Sequence, residues 1–213
     1  MKIIINILLV VGLLVLQPVA HASIVKFTFE GVVTQVSTHP ELSNLTEVGG
    51  VFSGHVIFNT DAQDRDSNPE IGFYGAEEIM VSLNGFTGFS DSVDLTIGNQ
   101  ATVDQYVVWA GRLGGVIGSS QLGDLILTNI GLGFYENTGQ LFENDLLTGY
   151  VPDLNDFGQT AFSMGFSSSQ SIDAGYIYGT VTSVNAAVVH EPGLVAFFVL
   201  SCAFLVRRQR VSP

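Results

Sequence analysis

The sequence predicts an all-β fold, an antiparallel β-sandwich or jelly-roll-like domain, over residues 23–185. From Ser23 onward, apolar residues recur at every second position, which is the period of a half-buried strand. Glycine-rich turn signals separate these stretches, and no stretch between them has the apolar spacing of a convincing amphipathic helix. Many short strands joined by such turns are typical of sandwich folds.

Eight segments carry the alternation. In the first, Val25, Phe27 and Phe29 share one face, with Lys26 and Thr28 on the other. The remaining strands are predicted at residues 52–58, 78–83, 93–97, 105–110, 124–134, 161–167 and 176–184. Residues 75–79 are the one place where a single helical turn is predicted.

Phenylalanine dominates the aromatic residues and is expected to fill the core. The predicted core phenylalanines are Phe27, Phe29, Phe52, Phe58, Phe162 and Phe166. A short internal echo joins Gly31-x-Val33 near the start of the domain to Gly179-x-Val181 near its end. The echo favours first and last strands that lie side by side, which would bring the termini of the domain together.

Charge and cysteine content narrow the function classes. Residues 23–189 hold three basic and nineteen acidic residues, a net charge of −16. This excess disfavours nucleic acid or an anionic membrane surface as a partner, because both require a basic footprint. The single cysteine, Cys202, lies outside the domain, so the domain contains no disulfide.

The N-terminus has the pattern of a signal peptide over residues 1–22. Lys2 precedes an apolar stretch at residues 3–16, and Ala20-His21-Ala22 forms a small-x-small cleavage site before Ser23. Handling by the Sec export machinery and signal peptidase is therefore predicted.

The C-terminus combines a Glu-Pro pair with a short apolar run. Glu191-Pro192 precedes an uncharged stretch at residues 194–206, and Arg207, Arg208 and Arg210 follow it. As a helix this run would span roughly 20 Å, less than the roughly 30 Å hydrocarbon core of a bilayer. The arginines would keep the C-terminus cytoplasmic and the domain outside.

This layout, over residues 187–210, resembles the PEP-CTERM sorting signal. Glu191 and Pro192 match the motif, while His190 stands where its first proline belongs. Residues 27–33 and 48–58 also loosely resemble the β-rich domains of such proteins. The resemblance implies an exosortase-like membrane protease as partner, a transient membrane anchor, and delivery to the surface or extracellular matrix of an exopolysaccharide-producing, biofilm-forming Gram-negative bacterium.

An acidic loop is the best candidate for metal binding. Asp61, Asp64, Asp66 and Asn68 alternate as oxygen ligands do in calcium loops, although the EF-hand pattern fails downstream. The alternative is a solvated loop with Asx turns. Calcium is thus the one cofactor considered, and a second acidic stretch at residues 143–156 is a weaker candidate.

Histidine chemistry is not expected. His39 and His55 are interpreted as surface residues without a third nitrogen or sulfur ligand, which disfavours a zinc site. No nucleophile motif accompanies them.

Three functions remain open. The first is a non-enzymatic exported surface or matrix protein associated with exopolysaccharide. The second is a carbohydrate-binding module, with calcium assisting, that stacks sugars on aromatic side chains from the set Tyr106, Trp109, Tyr135, Tyr150, Tyr176 and Tyr178. The third is a glycan-active enzyme, which would need a cleft with two close carboxylates.

Overall fold

The computed structural model describes residues 24–111, 117–147, 150–169 and 174–189. These residues form ten strands and one short helix. In chain order the elements are β1 (Ile24–Val36), α1 (Pro40–Leu45), β2 (Val51–Asn59), β3 (Ile71–Leu83), β4 (Phe86–Ser90), β5 (Val93–Gln100), β6 (Val103–Ala110), β7 (Gly118–Ser119), β8 (Ile126–Glu136), β9 (Gln159–Ser167) and β10 (Gly175–Val189).

Eight of the strands close into an antiparallel barrel. Strands β1, β2, β3, β5, β6, β8, β9 and β10 each pair with their neighbours in this order, and β10 pairs back onto β1. The closing pair runs from Ile24 opposite Val189 to Val36 opposite Ile177. Since every described wall strand has a partner on both sides, the wall has no open edge.

Strands β3, β4 and β5 form one long hairpin. β4 pairs with the C-terminal half of β3 and β5 pairs with its N-terminal half, in a single continuous register. Its two-residue turn, Asn84-Gly85, has φ angles of 47° and 84°, as a type I′ hairpin turn requires. The short strand β7 extends the sheet beyond β4.

The prediction of an all-β antiparallel fold is confirmed, but the sandwich or jelly roll is wrong because the sheet closes on itself. Alternation along a strand shows which face is buried, and it is the same whether that face meets a second sheet or the inside of a barrel. The prediction that the first and last strands lie side by side is confirmed by the β1–β10 pairing.

Phenylalanine fills the barrel interior. All six predicted core phenylalanines are at most 2% exposed. Phe52 and Phe162 stack with ring centroids 3.9 Å apart. A Cβ atom on Gly31 would lie 2.2 Å from the Phe52 ring, and one on Gly179 would lie 2.5 Å from it. The two glycines of the internal echo therefore make room for this stack.

Both ends of the barrel are covered. At one end, which we call the α1 end, Leu42 of α1 is fully buried. The opposite end, where β1 begins and β10 finishes, we call the terminal end. It is covered by the segment between β8 and β9, in which Leu147 and Phe157 are buried.

One local prediction is wrong, and one element was not predicted. Residues 75–79, predicted as a helical turn, lie inside β3. The helix that does form, α1, was not predicted, because six residues with one buried side chain carry almost no periodicity.

Candidate functional site

A groove of about 800 Å³ lies on the outer wall at the α1 end. It crosses β6, β8, β9 and the start of β10, and the segment that leads into α1 borders it. Its lining residues are Ser37, Thr38, His39, Pro40, Trp109, Thr128, Asn129, Ser163, Met164, Gly165, Phe166, Ala174, Gly175, Tyr176 and Tyr178.

The register of the strands places an aromatic residue on each side of this groove, Trp109 on one side and Tyr178 on the other. Trp109 pairs with Gly131, Gly131 pairs with Ser163, and Ser163 pairs with Tyr178, so the four form one row across four strands. Neighbouring strands are about 4.8 Å apart, which separates the two aromatic positions by roughly 14 Å along the sheet. Two small residues thus lie between two large rings.

The next row repeats the arrangement with Asn129, Gly165 and Tyr176. Tyr176 and Tyr178 point outward, 38% and 42% exposed, with ring centroids 4.6 Å apart. On the far side, a Cβ atom on Gly131 would lie 2.7 Å from the Trp109 ring, so the indole packs closely on this glycine. Gly165 therefore lines the groove between Asn129 and Tyr176, while Trp109 covers Gly131.

Hydrogen bonds hold the tyrosine side in place. The Gln35 amide donates to the Tyr176 hydroxyl at 3.0 Å, and the Tyr176 backbone N–H donates to Ser37 Oγ at 2.8 Å. By contrast, the Asn129 amide and the Ser163 hydroxyl have no hydrogen-bond partner within the described parts of the chain. Both residues line the groove.

The six aromatic residues of the predicted sugar platform separate into two groups. Trp109, Tyr176 and Tyr178 line the groove. Tyr106 is fully buried inside the barrel, and Tyr150 packs on it from the covering segment with ring centroids 6.2 Å apart. Tyr135 lies on the outer wall over Gly133, away from the groove.

The acidic loop lies at the terminal end, between β2 and β3. Its side chains accept hydrogen bonds from nearby backbone N–H groups: Asp64 from Asp66 at 2.9 Å, Asp66 from Asn68 at 3.0 Å, and Asn68 from Glu70 at 3.1 Å. These are Asx turns. Asp61, Asp64 and Asp66 do not come together as a ligand cluster in the structure described, so calcium at Asp61, Asp64, Asp66 and Asn68 stays a prediction.

The weaker acidic stretch covers the terminal end of the barrel. The backbone carbonyl of Asp145 accepts a hydrogen bond from the Tyr74 hydroxyl at 2.8 Å, and Asp156 accepts one from the Tyr150 hydroxyl at 2.8 Å. The first bond fastens the covering segment to β3, and the second lies within the covering segment.

The histidines differ from their sequence interpretation. His55 is only 9% exposed, and its Nε2 lies 2.6 Å from Glu78 Oε1 on β3. His39 precedes α1, and its side chain lies with those of Glu41 and Asp124, the three ligand atoms being within 4.8 Å of one another. Sequence reasoning missed this group because Asp124 is distant in the chain.

Two buried polar side chains, Asp104 and Tyr106, lie on β6 near the covered terminal end of the barrel. Asp104 Oδ2 accepts the backbone N–H groups of Leu141 and Phe142 at 2.6 and 2.9 Å. The Tyr106 hydroxyl has no hydrogen-bond partner among the described residues. Burial, with a smaller contribution from Tyr150, raises the pKa of Tyr106 well above its usual value.

Comparison with protein-family models, with curated proteins and with solved structures finds no match for this chain. The assignment therefore depends on the residues themselves.

The predicted leader and tail lie outside the described residues. This holds for the cleavage site at Ala20, Ala22 and Ser23, for the sorting motif at residues 190–192, and for the apolar run with its arginines. Within the described ranges, no helix has the length and apolar character needed to cross a membrane.

Proposed function

We propose that this chain is a non-enzymatic exported protein of the bacterial surface or extracellular matrix, and that its barrel binds polysaccharide in the outer groove. The observation that carries the proposal is the row Trp109, Gly131, Ser163, Tyr178. Aromatic faces offer flat apolar area, and the polar groups between them can pair with hydroxyl groups. A sugar ring presents both kinds of surface.

The charge of the domain narrows the polysaccharide class. With a net charge of −16 over residues 23–189, the barrel repels polymers rich in carboxylate or sulfate. We therefore expect a neutral glycan, or one that carries amino sugars.

The lining of the groove favours binding over hydrolysis. Glycoside hydrolysis requires two carboxyl groups that flank the scissile bond. None of the described residues that line the groove is an aspartate or a glutamate. This supports the binding module over the glycan-active enzyme.

The barrel geometry is compatible with the proposed export and sorting. Ile24 and Val189 are paired at the terminal end, so the predicted leader and sorting tail join the barrel side by side. The groove lies at the α1 end. A barrel attached through its tail would therefore present the groove away from the membrane until an exosortase-like protease releases it.

Glycan retention tests the binding function. We expect the purified chain to be retained on a neutral or amino-sugar polysaccharide matrix, and Trp109→Ala or Tyr178→Ala to weaken retention about tenfold or more, since each removes one aromatic side of the groove. Tyr135→Ala is the matched control, because Tyr135 is an outer-wall aromatic outside the groove. Equal retention of all four proteins, with or without chelator, would exclude the groove as the binding site.

Intact-mass measurement tests export and sorting. We expect the form recovered from culture medium to begin at Ser23 and end between His190 and Pro192. A recovered form that keeps Arg207, Arg208 and Arg210 would contradict tail cleavage.

A further inference from the structure

Three potential metal ligands meet beside α1, from two segments that are distant in the sequence. His39 immediately precedes α1 in an extended conformation, and Glu41 lies in its first turn. Asp124 lies in a tight turn between Leu122 and Leu125, closed by a backbone hydrogen bond of 3.0 Å.

A glycine allows the two segments to approach. Gly123 has a φ of +60°, and a Cβ atom there would lie 2.8 Å from Glu41 Cγ. A residue with a side chain at this position would be strained and would push Glu41 away. The contact that brings Asp124 to His39 and Glu41 therefore depends on a residue without a Cβ.

The imidazole nitrogen that faces this group is unsatisfied. His39 Nδ1 is shielded from solvent and has no hydrogen-bond partner among the described residues. It lies 2.7 Å from Glu41 Oε2, without the alignment that a hydrogen bond needs. The two atoms form an ion pair when His39 is protonated, and they are close enough to bind one metal ion when it is neutral.

The local charge also favours a cation. Glu41 and Asp124 both contribute carboxylates, and within the described residues the one ion pair that uses arginine or lysine joins Arg65 to Asp94 elsewhere. A divalent ion would neutralise the two carboxylates and occupy the unsatisfied Nδ1.

From this geometry we propose that His39, Glu41 and Asp124 bind a first-row divalent metal ion of the Zn²⁺ type. Zinc accepts imidazole nitrogen and carboxylate oxygen at roughly 2.0–2.2 Å, which sets tetrahedral ligand atoms about 3.3 Å apart. His39 Nδ1 lies 2.7 Å from Glu41 Oε2, and all three ligand atoms lie within 4.8 Å of one another. The value of about 3.3 Å falls between these two distances. Calcium is disfavoured because it selects oxygen ligands. Three protein ligands leave the fourth position to water.

The metal would fasten α1 to the 122–125 turn at the edge of the groove, since His39 also lines the groove. This inference goes beyond glycan binding, because it is tested without a glycan. Loss of glycan retention would leave it intact, and absence of metal binding would leave the Trp109–Tyr178 row intact.

Titration of the metal-stripped, tag-free full chain with ZnCl₂ tests the proposal. We expect His39→Gln and Asp124→Asn each to weaken the tightest Zn²⁺ site by about tenfold or more, because loss of a direct ligand costs at least as much as loss of its supporting partner. Zn²⁺ should raise the melting temperature of the wild type, and it should raise that of either variant much less.

Two controls match these changes. Asp91→Asn removes one exposed carboxylate away from the group, and His55→Gln removes the other described histidine of the barrel. Both should bind Zn²⁺ as the wild type does. Absence of Zn²⁺ binding, or binding that His39→Gln and Asp124→Asn leave unchanged, would overturn the proposal.

Discussion

Replacing Phe52 by alanine tests the central packing of the barrel. Phe52 is fully buried, stacks on Phe162 at 3.9 Å, and contacts the backbone of Gly31 and Gly179. A buried phenylalanine removes roughly 150–250 Å² from water, which at about 25 cal/mol per Å² contributes about 4–6 kcal/mol. A compact unfolded state lowers this figure by about 10–40%. We therefore expect the free energy of unfolding to fall by about 3–5 kcal/mol, the usual range for such a truncation.

Urea unfolding followed by fluorescence measures this loss. The chain contains one tryptophan, Trp109, which lies on the barrel wall and reports when β6 separates from its neighbours. Phe89→Ala is the matched control, because Phe89 is 51% exposed and its truncation should cost less than about 1 kcal/mol. A loss in free energy of unfolding below about 1.5 kcal/mol for Phe52→Ala, or an equal loss for the two variants, would refute the packing described for Phe52 on Phe162.

Two further predictions concern Tyr106. Tyr106→Phe should raise the free energy of unfolding at pH 7 by about 1–2 kcal/mol, because it removes a buried hydroxyl that has no hydrogen-bond partner among the described residues. Urea unfolding measures this change. A loss of stability in the variant would show that the hydroxyl does have a partner. Burial raises the pKa of Tyr106 above its ordinary value, and burial with the hydrogen bond to Asp156 raises that of Tyr150. The unfolded tyrosines lose protons near pH 10 while the folded ones retain them, so the stability is complete below about pH 10 and falls as the pH rises further. Unfolding between about pH 9 and 11 should show this fall, less steeply in Tyr106→Phe, and an identical slope in the two proteins would contradict the assignment.

Strand positions and the core were predictable from sequence because they depend on local alternation. All eight predicted segments overlap strands, and Phe27 or Phe58 could be assigned to the interior from its neighbours alone. The internal echo predicted that β1 lies beside β10, but barrel closure was not predictable, because alternation does not specify which strands pair. Closure requires β3 to pair with β2 on one side and with β5 on the other, and these registers depend on contacts between separate strands.

In the candidate sites too, residue types could be predicted from the sequence, but their positions relative to one another could not. The aromatic residues were visible as a composition, but only strand register shows that Trp109 and Tyr178 share a row while Tyr106 faces inward. The His39 group was missed because its third member comes from a turn near β8. The acidic loop, prominent in the sequence, forms Asx turns instead of a ligand cluster in the described structure.

The pairing of the first strand with the last also constrains how the domain acquires its structure. During synthesis β1 emerges first and β10 last, so β1 stays without this partner until nearly the whole domain has appeared. Until then β1 and β9 each have one edge with unpaired backbone groups, and another chain could pair with either edge as an additional strand. Such long-range pairing makes folding slow. A chain interrupted before β10 would therefore expose two unpaired strand edges, to which other chains could add strands and aggregate.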